Sequence, residues 1–71
     1  MRRREICLVP AEDSTDRFDV MRDRRTLLLA RVTEADAVRW LKGKVLPGER
    51  VYLMENDGYK REITRDLARA R

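Results

Sequence analysis

The sequence predicts a small α+β domain in which an antiparallel sheet of two hairpins and an N-terminal strand packs on one α-helix, in the order β-β-β-α-β-β. Three observations lead there. Thr33 to Lys42 carries a helical apolar period between matched caps, strand-compatible runs on either side of it are separated by turn signals, and 71 residues leave room for a single thin core. A helix of about ten residues is marginal alone, so it needs a sheet to rest on.

The elements follow in chain order. Glu5-Ile-Cys-Leu-Val9, ended by Pro10, reads as a first strand, and the polar, acidic run from Ala11 to Asp16 as a loop. Arg17 to Arg22 alternates and Thr26 to Val32 is β-compatible, so a tight turn at Asp23-Arg24 makes a hairpin. With residue 22 opposite 25, Val20 faces Leu27 and Phe18 faces Leu29, which puts Leu28, Ala30 and Val32 on the second face. In the helix, Thr33 caps the first turn, Glu34 and Asp36 suit the positive end of its dipole, and Lys42 and Lys44 suit the other end. Gly43 is expected to stop it in the left-handed conformation. Pro47-Gly48 suits the centre of a type II turn. Asn56-Asp57-Gly58 then joins Arg50–Glu55 to Tyr59–Thr64 in a hairpin. A three-residue loop places Val51, Leu53, Tyr59 and Ile63 inward and Tyr52, Met54, Lys60 and Glu62 outward, whereas a two-residue Asp57-Gly58 turn would group Tyr52, Met54, Tyr59 and Ile63; the first is preferred because its outer face is coherently amphipathic. The chain is expected to be one domain, 1–71, with basic flexible ends at about 1–4 and 66–71; after Thr64, either a frayed helical turn or disorder is expected.

Composition removes several function classes. There is no His, a single Cys and a single Ser, so nucleophile–base pairs and Cys/His metal sites cannot be assembled. All three glycines have turn or helix-stop roles, which leaves no phosphate-binding loop. A non-enzymatic protein without metal, cofactor, small-molecule substrate or membrane contact is expected. Lone Cys7 and the lack of a long apolar run point to the cytoplasm.

Charge is more informative. The formal net charge is +4, with 17 basic and 13 acidic residues. Arg2, Arg3, Arg4, Arg65, Arg69 and Arg71 crowd the two ends, and the interior from 5 to 64 is left with eleven basic against twelve acidic residues. The body is near neutral and the ends are basic. Arg22, Arg24 and Arg25 at the first hairpin tip, Lys60 and Arg61 on the second hairpin, and Arg2 to Arg4 are the candidate nucleic-acid contacts. Trp40, Tyr52 and Met54, with the second apolar face of Leu28 and Val32, are the candidate partner-binding residues.

Phe18-Asp-Val, the turn at Asp23-Arg-Arg25 and the run from Thr33 to Leu41 together resemble the small arm-type DNA-binding domains at the start of phage tyrosine recombinases. The resemblance spans Arg17 to Leu41, about a third of the chain. It implies a sheet that enters the major groove and a basic N-terminal arm that tracks the backbone. The neutral body and the extra hairpin depart from that family. Size and charge mixture also resemble small phage-encoded inhibitors of the anti-CRISPR or antitoxin kind. Two functions are therefore expected in the alternative: a module that contacts nucleic acid or a nucleoprotein complex, or a protein-binding inhibitor or adaptor, as a monomer or a homodimer, that uses an apolar sheet face or edge.

Overall fold

The computed structural model describes residues 4–55 and 57–69, without the side chains of residues 68 and 69. Its elements are β1 (Glu5–Pro10), β2 (Phe18–Arg22), β3 (Thr26–Val32), α1 (Glu34–Leu41), β4 (Arg50–Met54), β5 (Lys60–Glu62) and α2 (Thr64–Arg69). The strands form one five-stranded sheet in the order β3-β2-β1-β4-β5, and the α+β class is as the sequence predicts.

The sheet is mixed, which corrects the antiparallel expectation. β1 pairs antiparallel with β2 but parallel with β4, Ile6 lying beside Val51 and Leu8 beside Leu53. The cause is α1. It takes the chain from the end of β3 back across one face, so β4 starts at the same end as β1 and can only run alongside it. The first strand thereby becomes the central one. Ile6 and Leu8 are fully buried, as a strand flanked on both sides requires.

Both helices cover the same face of the sheet. The core joins Ile6, Leu8, Val20, Val51 and Leu53 from the strands with Ala37, Val38 and Leu41 from α1. Leu67 of α2 is only 7% exposed, so the turn after Thr64 is a helix, Thr64–Arg69, anchored in the core. The Thr64 hydroxyl accepts from the Val51 amide at 2.9 Å and fastens that helix to β4.

The α1 cap forms as expected, with Thr33 in an extended conformation and its hydroxyl accepting from the Asp36 amide at 3.2 Å. Its other end differs. Gly43 does not take the left-handed conformation; the Lys44 amide bonds back to the Leu41 carbonyl at 2.8 Å and tightens the last turn instead. Gly48 (φ +87°) does adopt it, in the turn closed by the Glu49 amide on the Leu46 carbonyl at 3.0 Å. Gly58 (φ +88°) does so in the second hairpin, where the Glu55 amide meets the Tyr59 carbonyl at 2.7 Å. That hairpin has the three-residue loop, and Val51, Leu53 and Ile63 point inward. Tyr59, expected inward, is 68% exposed because β5 begins one residue later.

The first hairpin departs from the register expected of it. Arg22 pairs with Thr26 and Met21 with Leu27, then the register slips so that Val20 meets Leu29 and Phe18 meets Val32. β3 holds two extra residues relative to β2, and Arg31 sits at the second slip with φ +55°. Its amide is held there by the Asp19 carboxylate at 3.0 Å. Leu27, on the tip side of both slips, turns outward opposite Met21 at 55% exposure, and beyond it the bulges rotate the strand so that Leu28, Leu29 and Val32 all pack partly against the core. Leu28 and Val32 therefore do not form a second apolar face.

One ion pair ties these parts together. Arg22 Nε lies 2.8 Å from Glu49 Oε2 and Nη2 3.2 Å from Oε1, and the same Oε1 accepts from the Leu46 amide at 2.7 Å. The Glu49 side chain is completely buried and that of Arg22 30% exposed. Removing the cation would leave a buried carboxylate with one backbone donor. We expect Arg22→Met to cost roughly 2–4 kcal/mol in urea denaturation, the lower part of the range reflecting the exposed side of the guanidinium, and Arg24→Met at the adjacent tip to cost under about 0.5 kcal/mol.

Candidate nucleic-acid interface

The geometry of the first hairpin decides where the free basic charge sits. Asp23 (φ +54°) and Arg24 (φ +58°) are both left-handed, and the Arg25 amide bonds to the Arg22 carbonyl at 3.1 Å, the pattern of a type I′ turn. Asp23 faces back toward β1: its amide donates to the Glu5 carbonyl at 2.8 Å and its carboxylate accepts from the Glu5 amide at 3.1 Å. Arg24 and Arg25 remain exposed, and neither meets an acid among the described residues. Exposed Arg4 precedes β1 at the same end, its carbonyl accepting from the Arg50 amide at 3.2 Å. The loop after α1 arrives there as well, with Lys42 and Lys44, because Arg22 Nη2 reaches the Lys44 carbonyl at 3.5 Å. Arg2 and Arg3 lie outside the described residues.

The other candidate cations are engaged elsewhere. Arg22 is spent on Glu49, so it belongs to the framework rather than to the exposed tip. Lys60 lies 3.3 Å from Glu5 and 4.4 Å above the Tyr52 ring, and Arg61 is shared between Glu55 at 3.4 Å and Glu34 at 3.9 Å. The two hairpin tips are at opposite ends. β4 runs parallel to β1, so its hairpin turns over where β1 finishes, whereas the β2–β3 tip lies where β1 starts.

The far end is acidic. It gathers the loop with Glu12, Asp13 and Asp16, the first turn of α1 with Glu34 and Asp36, and the second hairpin tip with Glu55 and Asp57. Asp13 holds Arg31 at 2.6 Å, and Asp16 accepts from Ser14 at 2.8 Å. The chain is thus polarised along its strands, basic where β1 begins and acidic where it ends.

Of the partner-binding candidates, Trp40 is half-buried against the core, with Lys44 4.5 Å over its other face. Tyr52 and Met54 do lie on the sheet face that carries no helix. What sequence reasoning missed is the row that Tyr52 belongs to. In register across four strands stand Leu27, Met21, Cys7 and Tyr52, an apolar stripe on the open face. The parity of Cys7 and Met21 within their strands hinted at it, but the pairing of β1 with β4 was needed to join them.

Cys7 is 3% exposed under that stripe. Burial raises its thiol pKa above the ordinary value, against the lowering fields of Arg24 and Lys60 and with the carboxylate of Glu5. Among the described residues no helix is long and apolar enough to cross a membrane, and no group of three potential metal ligands is gathered. No family model, curated protein or solved structure matches the chain. The thiol should stay protonated through neutral pH, so the native protein should react with a disulfide reagent at pH 7.5 on the order of 100-fold more slowly than the urea-unfolded chain. Equal rates would place Cys7 at the surface.

Proposed function

We propose that this protein is a small non-enzymatic binding module, of phage or mobile-element type, that contacts nucleic acid or a nucleoprotein complex through Arg4, Arg24 and Arg25 and the arm that precedes them. The observation that carries the reading is the backbone of Arg24. The second central position of a type I′ turn favours glycine, and a bulky side chain there costs on the order of 1 kcal/mol. The chain holds a guanidinium in that strained position, beside a second one, and turns the adjacent Asp23 carboxylate back onto the Glu5 amide. Strain kept at an exposed tip with no packing role is a mark of use. The Arg-rich tip and the basic arm also fit the resemblance to recombinase arm-type domains over Arg17 to Leu41.

A second reading, a protein-binding inhibitor or adaptor, is favoured by the open sheet face, where Leu27 is 55% exposed. The sheet edges favour it less. β5 has three residues, all charged, and β3 is bulged twice, both of which hinder addition of a further strand.

The test separates stability from binding. Arg24→Gly relieves the backbone and should leave the protein unchanged or up to about 1 kcal/mol more stable, while lowering affinity for a short DNA duplex at 50 mM salt. Joint reversal of Arg24 and Arg25 to Glu should abolish the binding, and the parent should show a negative slope of log affinity against log salt, near −0.9 per phosphate contacted. Undiminished binding by the reversed protein would refute this use of the tip.

A further inference from the structure

The open face has a shape that selects its occupant. The stripe of Leu27, Met21, Cys7 and Tyr52 runs perpendicular to the strands, at a single register level, from edge strand β3 to β4. Val9 and Met54 adjoin it on the side toward the acidic end. Most charges beside the stripe are paired within the chain, Lys60 with Glu5 at 3.3 Å and Arg50 with Glu62 at 3.4 Å, while the Asp19 carboxylate is held by the Arg31 amide at 3.0 Å. Among the described residues a strongly charged partner would find little counter-charge on this face. A second copy brings a face with the same internal balance.

We propose that this face is the interface of a two-fold homodimer in which the strands of the two copies run in opposite directions. A two-fold axis along the stripe lays the stripe on its own copy and reverses the strand direction. Reversal brings the basic end of each copy, with Arg24 and Arg25, over the acidic end of the other, with Glu55 and Asp57. The alternative, an axis parallel to the strands, would stack basic on basic and acidic on acidic. Electrostatic complementarity therefore chooses the antiparallel pairing, and sheets can pack face to face with strands nearly aligned. The inference uses the surface of the second reading above, and because it seats Arg24 and Arg25 against the other copy it is tested in the absence of nucleic acid.

Size sets the strength. Five strands spaced by about 4.8 Å and some five residues of about 3.3 Å span a face of roughly 24 by 17 Å. That is about half the roughly 800 Å² per partner of a standard interface, so the dimer should be weak, with a dissociation constant of tens to hundreds of micromolar at low salt. It should weaken further as salt screens the ends.

Sedimentation equilibrium of the purified protein from about 20 µM to 1 mM, at 50 and 500 mM salt and without nucleic acid, tests this. The expected result is a monomer–dimer equilibrium that shifts toward monomer at high salt. Leu27→Asp, at a site exposed enough to leave the fold intact by circular dichroism, should raise the dissociation constant at least tenfold. Arg24→Glu/Arg25→Glu and Glu55→Lys/Asp57→Lys should each be monomeric alone, because each carries like charge at both ends, and should form a dimer when mixed. A protein monomeric at 1 mM in low salt, or a dimer indifferent to Leu27→Asp, overturns the proposal. Mixed variants that fail to associate overturn the antiparallel arrangement.

Discussion

The bridge from Arg22 to Glu49 is the constraint on which the rest of this small structure depends. It joins the last residue of β2 to the residue just before β4, two points far apart in sequence that must meet if β1 is to be held from both sides. A carboxylate buried beside a thin core is costly unless all its lone pairs are used. Here two guanidinium nitrogens and the Leu46 amide occupy three of its acceptor sites. The crossover through α1 can therefore end at one place only, alongside β1.

The same bridge shapes the charge pattern. By drawing Arg22 inward, it separates that residue from its neighbours Arg24 and Arg25, which remain outside. Ion pairs at Lys60 and Arg61 likewise neutralise the second hairpin, so a basic protein by composition becomes a polarised one by topology. Net charge summed over the chain cannot show this. The parallel pairing of β1 and β4 is what sends the acidic second tip to the end opposite the basic first one.

Local signals were the legible part of the fold. The Thr33 cap, the Pro47-Gly48 turn and the Gly58 loop depend on residues within a few positions of one another, and each formed as the sequence predicts. Features set by distant residues were not legible. The β1–β4 pairing, the Glu49 partner of Arg22 and the anchoring of Leu67 join segments separated by many residues, and no short-range pattern encodes them. The two β3 bulges lie between. Arg31 carries no glycine-like mark, and only the reach of the Asp19 carboxylate to its amide makes the left-handed conformation tolerable. The faces expected of Leu27, Leu28 and Val32 change because Arg22 pairs with Thr26 at the tip and because the register slips twice beyond it, only the second slip lying at Arg31. For the candidate site, Arg24 and Arg25 stood out as an exposed tip from sequence, whereas the loss of Arg22, Lys60 and Arg61 to acids required the folded chain.

A central strand that is first in the chain also has a bearing on synthesis. As the polypeptide leaves the ribosome, β1, β2 and β3 can form an antiparallel meander once residue 32 has emerged, but the second edge of β1 waits for β4, which ends at Met54. For that interval Ile6 and Leu8 sit on a strand with one row of backbone donors and acceptors unpaired, an apolar template open to any other nascent chain. The interval is set by the twenty-two residues that separate the end of β3 from the end of β4, on the order of seconds of translation.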